Sequence, residues 1–357
     1  IRRLRRLLYC GEWIESHALH VYMLHAPDFL GYASAVHLAK DDPATVQRGL
    51  RLKKAGNALI ECIGGRAIHP VNVRVGGFYR APRRAELDAL VPELEWAREA
   101  ATQTVAWAAG LPTPALERDY ELVALRGPGE YPLEAGRIVS TGGLDLAPAD
   151  FEAHFEEYQV PHSTALHARI RPAPAPAGAG TGGKARTGDG HYLTGPLARF
   201  ALNFDLLPES VRAAARAAGI GPDCRNPYRS IVVRSLEVLY AFEEALALIR
   251  AYREPAQAAV EITPRAAEGH GATEAPRGLL YHHYRLAADG TIEAARIVPP
   301  TAQNQPSIED DVRAVVTEQW QMPRAALRHR CEQTIRNHDP CISCAAHFLD
   351  LRVHEAP

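Results

Sequence analysis

Apolar positions along the chain recur mostly in steps of three and four, the pattern of helices with one buried face, and short alternating pieces fall between them. An apolar helix is predicted from Glu12 to Leu30, carrying His17, His20 and His25. The next opens at Asp42-Pro43, a capping residue followed by proline in the first turn. It runs through Leu52, Ala55, Leu59 and Ile63 and stops at Gly64-Gly65. Val71 to Val75 alternates like a short strand that ends at Gly76-Gly77. Leu94, Ala97, Ala101, Val105 and Ala108 form the stripe of a third helix, ended by Gly110 and Pro112. Leu122 to Leu166 reads as short strands and turns. Arg171 to Gly190, rich in proline, alanine and glycine, reads as a flexible surface insertion. After it Asn226-Pro227 opens the clearest helix, whose Val232, Ser235, Leu239, Phe242, Leu246 and Ile249 are spaced for a bundle. Ser307 with Asp310 predicts a capping-box start to another helix, and Pro323 starts one that ends near Asn337. The fold class expected is mainly α with small β elements, built on a core of long helices.

Composition narrows the function more than the fold. The 357 residues carry 40 Lys plus Arg against 42 Asp plus Glu, a formal charge of −2, which argues against nucleic-acid binding through bulk charge. No stretch approaches the roughly 18 consecutive apolar residues of a membrane helix; the run after Tyr228 is broken by Arg234, Glu237, Glu243 and Glu244. Six cysteines in a chain this long do not make a disulfide scaffold, so a reducing compartment or a metal site is expected. The Arg2 to Arg6 segment reads as one solvated helix face without the features of a secretory signal, and the chain is expected to begin inside a longer protein.

The strongest chemical signal is Asp339-Pro340-Cys341-Ile342-Ser343-Cys344-Ala345-Ala346-His347. Cysteines separated by two residues can turn both thiolates onto one metal, and the histidine adds a nitrogen donor. Spacing alone leaves zinc, redox use and rarer metals open, because Cys10, Cys62, Cys224 and Cys331 stand singly and read as small buried hydrophobes. His17, His20 and His25, and likewise His282-His283, are expected to be packed, hydrogen-bonded side chains rather than ligands.

Several further segments occur in a fixed order along the chain: Glu15-Ser16-His17-Ala18-Leu19-His20 with Ala26-Pro27-Asp28, Gly65-Arg66 with Ile68-His69-Pro70-Val71-Asn72, Gly195-Pro196-Leu197-Ala198-Arg199, Glu274-Ala275-Pro276-Arg277-Gly278, and Pro300-Thr301 with Asn304. With the terminal Asp-Pro-Cys motif, this series resembles the large subunit of nickel-iron hydrogenases, most closely the cytoplasmic, NAD(P)-linked sulfhydrogenase kind. The proline-threonine stretch, continuing Ala302-Gln303-Asn304, lacks the tryptophan of the membrane-bound uptake enzymes. The resemblance implies a catalytic centre of nickel and iron with cyanide and carbon monoxide ligands. Cys341 would be a terminal thiolate on nickel and Cys344 a bridging one. It implies that Arg277 overhangs the metals beside Pro276 and the hydroxyl of Thr301, gripped by Asp28 and Asp339. It further implies a magnesium ion bound by His347 and the carbonyl of Ile297.

As the resemblance has it, residues 1–170 and 191–347 are two parts of one helical domain around the 171–190 insertion. Residues 348–357 form an extension that a maturation protease removes, and the other cysteine pair and a proton-passing glutamate lie upstream of Ile1. Nickel-insertion factors, a small subunit with iron-sulfur clusters, and NAD(P)-reducing flavin and iron-sulfur subunits are the implied partners. No nucleic acid and no direct membrane insertion are expected. The competing expectations are a metal-free relative of the quinone-site subunit of respiratory complex I and a zinc-stabilised module.

Overall fold

The computed structural model describes residues 1–172 and 189–340. Helix α1 (Arg2–Leu19) continues through a π-helical segment (His20–His25) into α2 (Ala26–Phe29), so the helix expected from Glu12 begins ten residues earlier. Helices α3 (Ala35–Asp41) and α4 (Pro43–Gly64), a hairpin of β1 (Val73–Arg74) and β2 (Gly77–Phe78), and helices α5 (Arg84–Asp88) and α6 (Val91–Ala109) follow. Strands β3 (Val123–Arg126), β4 (Arg137–Ser140) and β5 (Asp145–Leu146) form one antiparallel sheet. After α7 (Phe151–His154), strands β6 (Phe155–Tyr158) and β7 (His167–Ile170) form another. Then come α8 (Pro196–Asn203), α9 (Glu209–Ala217) and α10 (Ser230–Arg250), the meander β8 (Ala267–Ala275), β9 (Gly278–Leu286) and β10 (Ile292–Val298), and finally α11 (Pro300–Glu318) and α12 (Arg324–Asn337). No described helix is long and apolar enough to cross a membrane.

The helices pack as their apolar stripes dictate. Trp13, Ile14, Leu52, Leu59, Ala97, Ala101, Ile231, Leu239 and Phe242, from α1, α4, α6 and α10, share one core. A second, smaller core joins the sheets through Phe151, Phe155, Tyr192, Leu279 and Tyr281. Asp42 caps α4 by accepting from the Thr45 N–H, and the helix ends at Gly65 in a left-handed conformation, both as its sequence demands.

Three local expectations fail. Arg2, Arg3 and Arg5 are exposed as expected, but Arg6 is buried, donating to the Tyr131 carbonyl at 2.9 Å and to Glu244, because this face of α1 packs on α10. The strand expected over Val71 to Val75 contracts to Val73–Arg74 and lies exposed. The capping box at Ser307 does not form, because α11 starts seven residues earlier at Pro300 and carries Pro306 internally. The Ser307 hydroxyl instead donates to the Tyr192 carbonyl at 2.8 Å, and Asp310 pairs with His191. Cys10 and Cys331 are buried as expected, whereas Cys62 and Cys224 are only half-buried. Residues 173–188 of the expected insertion lie outside the described residues.

Candidate active site

The meander does most to position the candidate site. Ala275 of β8 and Gly278 of β9 are paired, so Pro276 and Arg277 form a two-residue turn at the tip of the hairpin. The tip is pressed against the entry to α8. A Cβ on Gly195 would lie 2.6 Å from the Arg277 carbonyl, and one on Gly278 would lie 2.6 Å from Thr194 Cγ2. Both glycines have positive φ, so the crossing tolerates only glycine at each. Asn304 of α11 locks it: its Oδ1 accepts the Thr194 N–H at 2.8 Å, and its Nδ2 donates to the carbonyls of Thr194 and Arg277 at 3.1 and 3.4 Å.

Held there, the Arg277 guanidinium meets the end of the described chain. Its Nε donates to the Asp339 carbonyl at 2.6 Å and its Nη2 lies 3.3 Å from Asp339 Oδ1. Burial raises the Asp339 pKa, opposed by Arg277 and the buried Arg234. Asp339 has a φ of 49°, an αL conformation that aspartate tolerates better than most residues. Among the described residues its Oδ2 finds no hydrogen-bond partner.

The segment reaches this point because the end of α12 is fastened on several sides. His20 Nε2 donates to the Arg336 carbonyl at 2.8 Å, and His25 Nε2 to Asn337 Oδ1 at 2.9 Å. Ser230 Oγ donates to the Asn337 carbonyl at 2.9 Å. Asp28 accepts from Arg336 Nε, and its carbonyl accepts from Gln333 at 3.1 Å. Of the two carboxylates assigned to Arg277 by resemblance, Asp339 therefore contacts it, whereas Asp28 pairs with Arg336 on α12. His17, His20 and His25 are hydrogen-bonded core histidines. Burial lowers all three pKa values, that of His17 to about 4.

Behind the hairpin lies a buried charge network that inspection of the chain did not single out. Arg199 donates to both oxygens of Glu237 at 2.8 Å, to Glu274 at 3.0 Å, and to the carbonyls of Ala275 and Pro276 at 2.8 Å. Glu237 also accepts from His17 at 3.0 Å and Tyr131 at 2.9 Å. Burial raises the Glu237 carboxyl, but Arg199 and His17 outweigh it and bring it to about 2. Glu274, sharing the same cation, is pushed by burial up to about 7. The signal was present: charged residues inside an apolar helix face, as at Glu237, require partners.

Arg277, Pro276, Thr301 and Ile297 line one cavity of about 570 Å³, together with Glu12, Ser16, Glu157 and Gln305. Four of the expected site residues thus converge, and Asp339 stands behind Arg277. Cys341, Cys344 and His347 lie outside the described residues.

Several known proteins are similar to this chain. A family model described as nickel-dependent hydrogenase matches residues 231–347, the span that includes both cysteines of the terminal motif. Sulfhydrogenase 1 subunit alpha of Pyrococcus furiosus is 29% identical over 355 residues, covering 98% of this chain and 79% of that protein. Sulfhydrogenase 2 subunit alpha of the same organism is 29% identical over 368 residues, with the same coverage of 98% and 79%. Among solved structures, an NAD⁺-reducing [NiFe]-hydrogenase in the H₂-reduced state matches with a TM-score of 0.82 at 24% identity, over 97% of this chain and 80% of that one. Over residues 231–347 the chain matches the nickel-dependent hydrogenases, along nearly its whole length it is similar to sulfhydrogenase alpha subunits, and its fold is that of the nickel-iron hydrogenase large subunit. It is therefore an oxidoreductase of the nickel-iron hydrogenase type, and neither a metal-free complex I relative nor a zinc module is favoured.

Proposed function

We propose that the chain is the catalytic subunit that cleaves hydrogen heterolytically and reversibly, and that a small subunit with iron-sulfur clusters carries the electrons toward NAD(P). The observation that carries this reading is the placement of Arg277 on the cavity wall, bonded to the carbonyl of Asp339 two residues before Cys341. The donor chemistry fits a nickel-iron centre. Two thiolates supply soft anionic sulfur, and a fixed guanidinium beside prolines and a threonine hydroxyl suits small anionic ligands such as cyanide. Cys341 and Cys344 would hold the metals, which when bound supply the Lewis acidity and redox change that hydrogen cleavage needs. Arg277 presents a planar cation at the cavity wall, held in orientation by Asp339. Pro276, Pro299 and Pro300 give that wall an apolar surface, and Thr301 offers a hydroxyl.

The same reading assigns His347 and the Ile297 carbonyl to magnesium, removal of residues 348–357 to a maturation protease, metal loading to nickel-insertion factors, and the cytoplasm as the compartment. The test is metal analysis of the complex purified with its small subunit. Wild type should hold nickel and iron in about equal amounts, while Cys341→Ser or Cys344→Ser should abolish hydrogen uptake and lower nickel content. Stoichiometric zinc without nickel in the wild-type complex would overturn the reading.

A further inference from the structure

A second group of donors lies along the same meander and takes no part in the chemistry above. His270 of β8 and His283 of β9 are direct cross-strand partners, with ring centroids 4.1 Å apart. Glu152 of α7 brings Oε1 to 2.8 Å from His283 Nδ1 and 3.1 Å from the Tyr281 hydroxyl. That hydroxyl lies 2.8 Å from His270 Nδ1. One ligand atom from each of Glu152, His270 and His283 falls within 4.8 Å of the others. In a tetrahedral zinc site with bonds of about 2.0–2.1 Å the donors stand roughly 3.3 Å apart, so only small side-chain rotations separate this cluster from that geometry.

The surroundings orient these donors. His283 lies between two carboxylates, with Glu152 Oε1 2.8 Å from Nδ1 and Glu268 Oε1 2.8 Å from Nε2; a metal bound at Nδ1 would leave the Nε2–H donating to Glu268. Arg296 donates to Glu152 Oε2 at 3.1 Å, so Oε1 is the oxygen turned inward. The histidine side chains are about one-fifth exposed, at 22% and 19%, which gives an ion a way in. A hydrogen-bonded clamp holding α7 on the sheet would need a carboxylate and one histidine; it would not need two imidazoles side by side with a carboxylate outside and another within.

We infer that Glu152, His270 and His283 form a binding site for a divalent transition metal, zinc by its donor set, distinct from the nickel-iron centre. The site lies six residues along the hairpin from Arg277, roughly 20 Å at about 3.4 Å per residue. Two imidazoles and one carboxylate suit zinc; magnesium and calcium prefer oxygen alone. The bound ion ties α7 to β8 and β9.

The experiment uses the complex with its small subunit, stripped of loosely held metal by a chelator and dialysed against zinc. Wild type should retain one more zinc per large chain than His270→Gln or His283→Gln, with nickel content equal in all three as the control for folding. Zinc should raise the melting temperature of wild type and of neither variant, and Glu268→Gln should weaken zinc binding about 10- to 100-fold. Equal zinc content in wild type and both variants would overturn the assignment.

Discussion

At the scale of single residues, Arg277 is bonded to Asp339, while Asp28 bonds Arg336. The Arg277 Nε and Nη2 are both bonded to Asp339, and the residue lines the cavity. Arg277→Lys keeps the charge and loses the planar fork, because an ammonium on a flexible stem cannot hold the Asp339 carbonyl and line the cavity together. Losing one oriented electrostatic contact in a water-poor site costs about 2.7–4 kcal/mol in the transition state, or roughly a hundred- to a thousandfold in rate. Hydrogen turnover should fall by that factor while nickel and iron stay near wild type. Loss of the metals would instead make the residue structural, and unchanged turnover would remove it from the reaction.

At the scale of elements, the site is made by the hairpin turn, the start of α11 and the end of α12, and these were unequally legible. The end of α12 near Asn337 could be read from Pro323 and the helical stripe that follows, and the Asp-Pro-Cys motif fell directly after it. The meander could not, because β8 contains Gly269 and Gly271 and few β-formers, so its pairing depends on β9 and on contacts the chain does not display locally. The start of α11 was hidden by Pro306, which normally ends a helix. Here Pro300 in the first turn begins one that continues past it. Asn304 shows what that early start achieves, since only a helix already formed at Pro300 brings its amide to Thr194 and the Arg277 carbonyl. Asn304→Ala leaves the buried Thr194 N–H and C=O unpaired, each at about 1–3 kcal/mol. The variant should therefore lose roughly 2–6 kcal/mol in chemical denaturation, and turnover should fall with it because the turn carrying Arg277 loses its brace. Unchanged stability would show that water or a neighbouring group replaces the amide.

At the scale of the whole molecule, the helical core contains ionisable groups whose charge states are fixed by burial, and stability should follow pH accordingly. His17, His20 and His25 are neutral in the folded chain, with pKa values lowered by burial from 6.5, that of His17 to about 4. Below pH 6.5 the unfolded chain binds protons that the folded chain does not, so these groups remove stability as pH falls. Glu274 acts in the opposite sense. With its folded value raised to about 7, it contributes stability below its unfolded value of 4.5 and loses it as pH rises through 7. The histidines oppose Glu274 and Asp339, whose carboxyls burial raises; His17, with its folded value near 4, alone costs close to one proton at pH 5, or about 1.4 kcal/mol per pH unit, and His20 and His25 act in the same direction. Glu237, brought down to about 2 chiefly by Arg199 against burial, adds its own loss only below pH 4.5. Denaturant midpoints should therefore fall steeply between pH 6.5 and 4. In His17→Gln the slope between pH 6.5 and 5 should be smaller by about one proton, whatever the variant's absolute stability. An identical slope would mean that His17 already carries its proton in the folded chain, paired with Glu237 as an ion pair, and that in this pH range two cations, Arg199 and His17, face Glu237 behind the Arg277 hairpin while Glu274 is protonated.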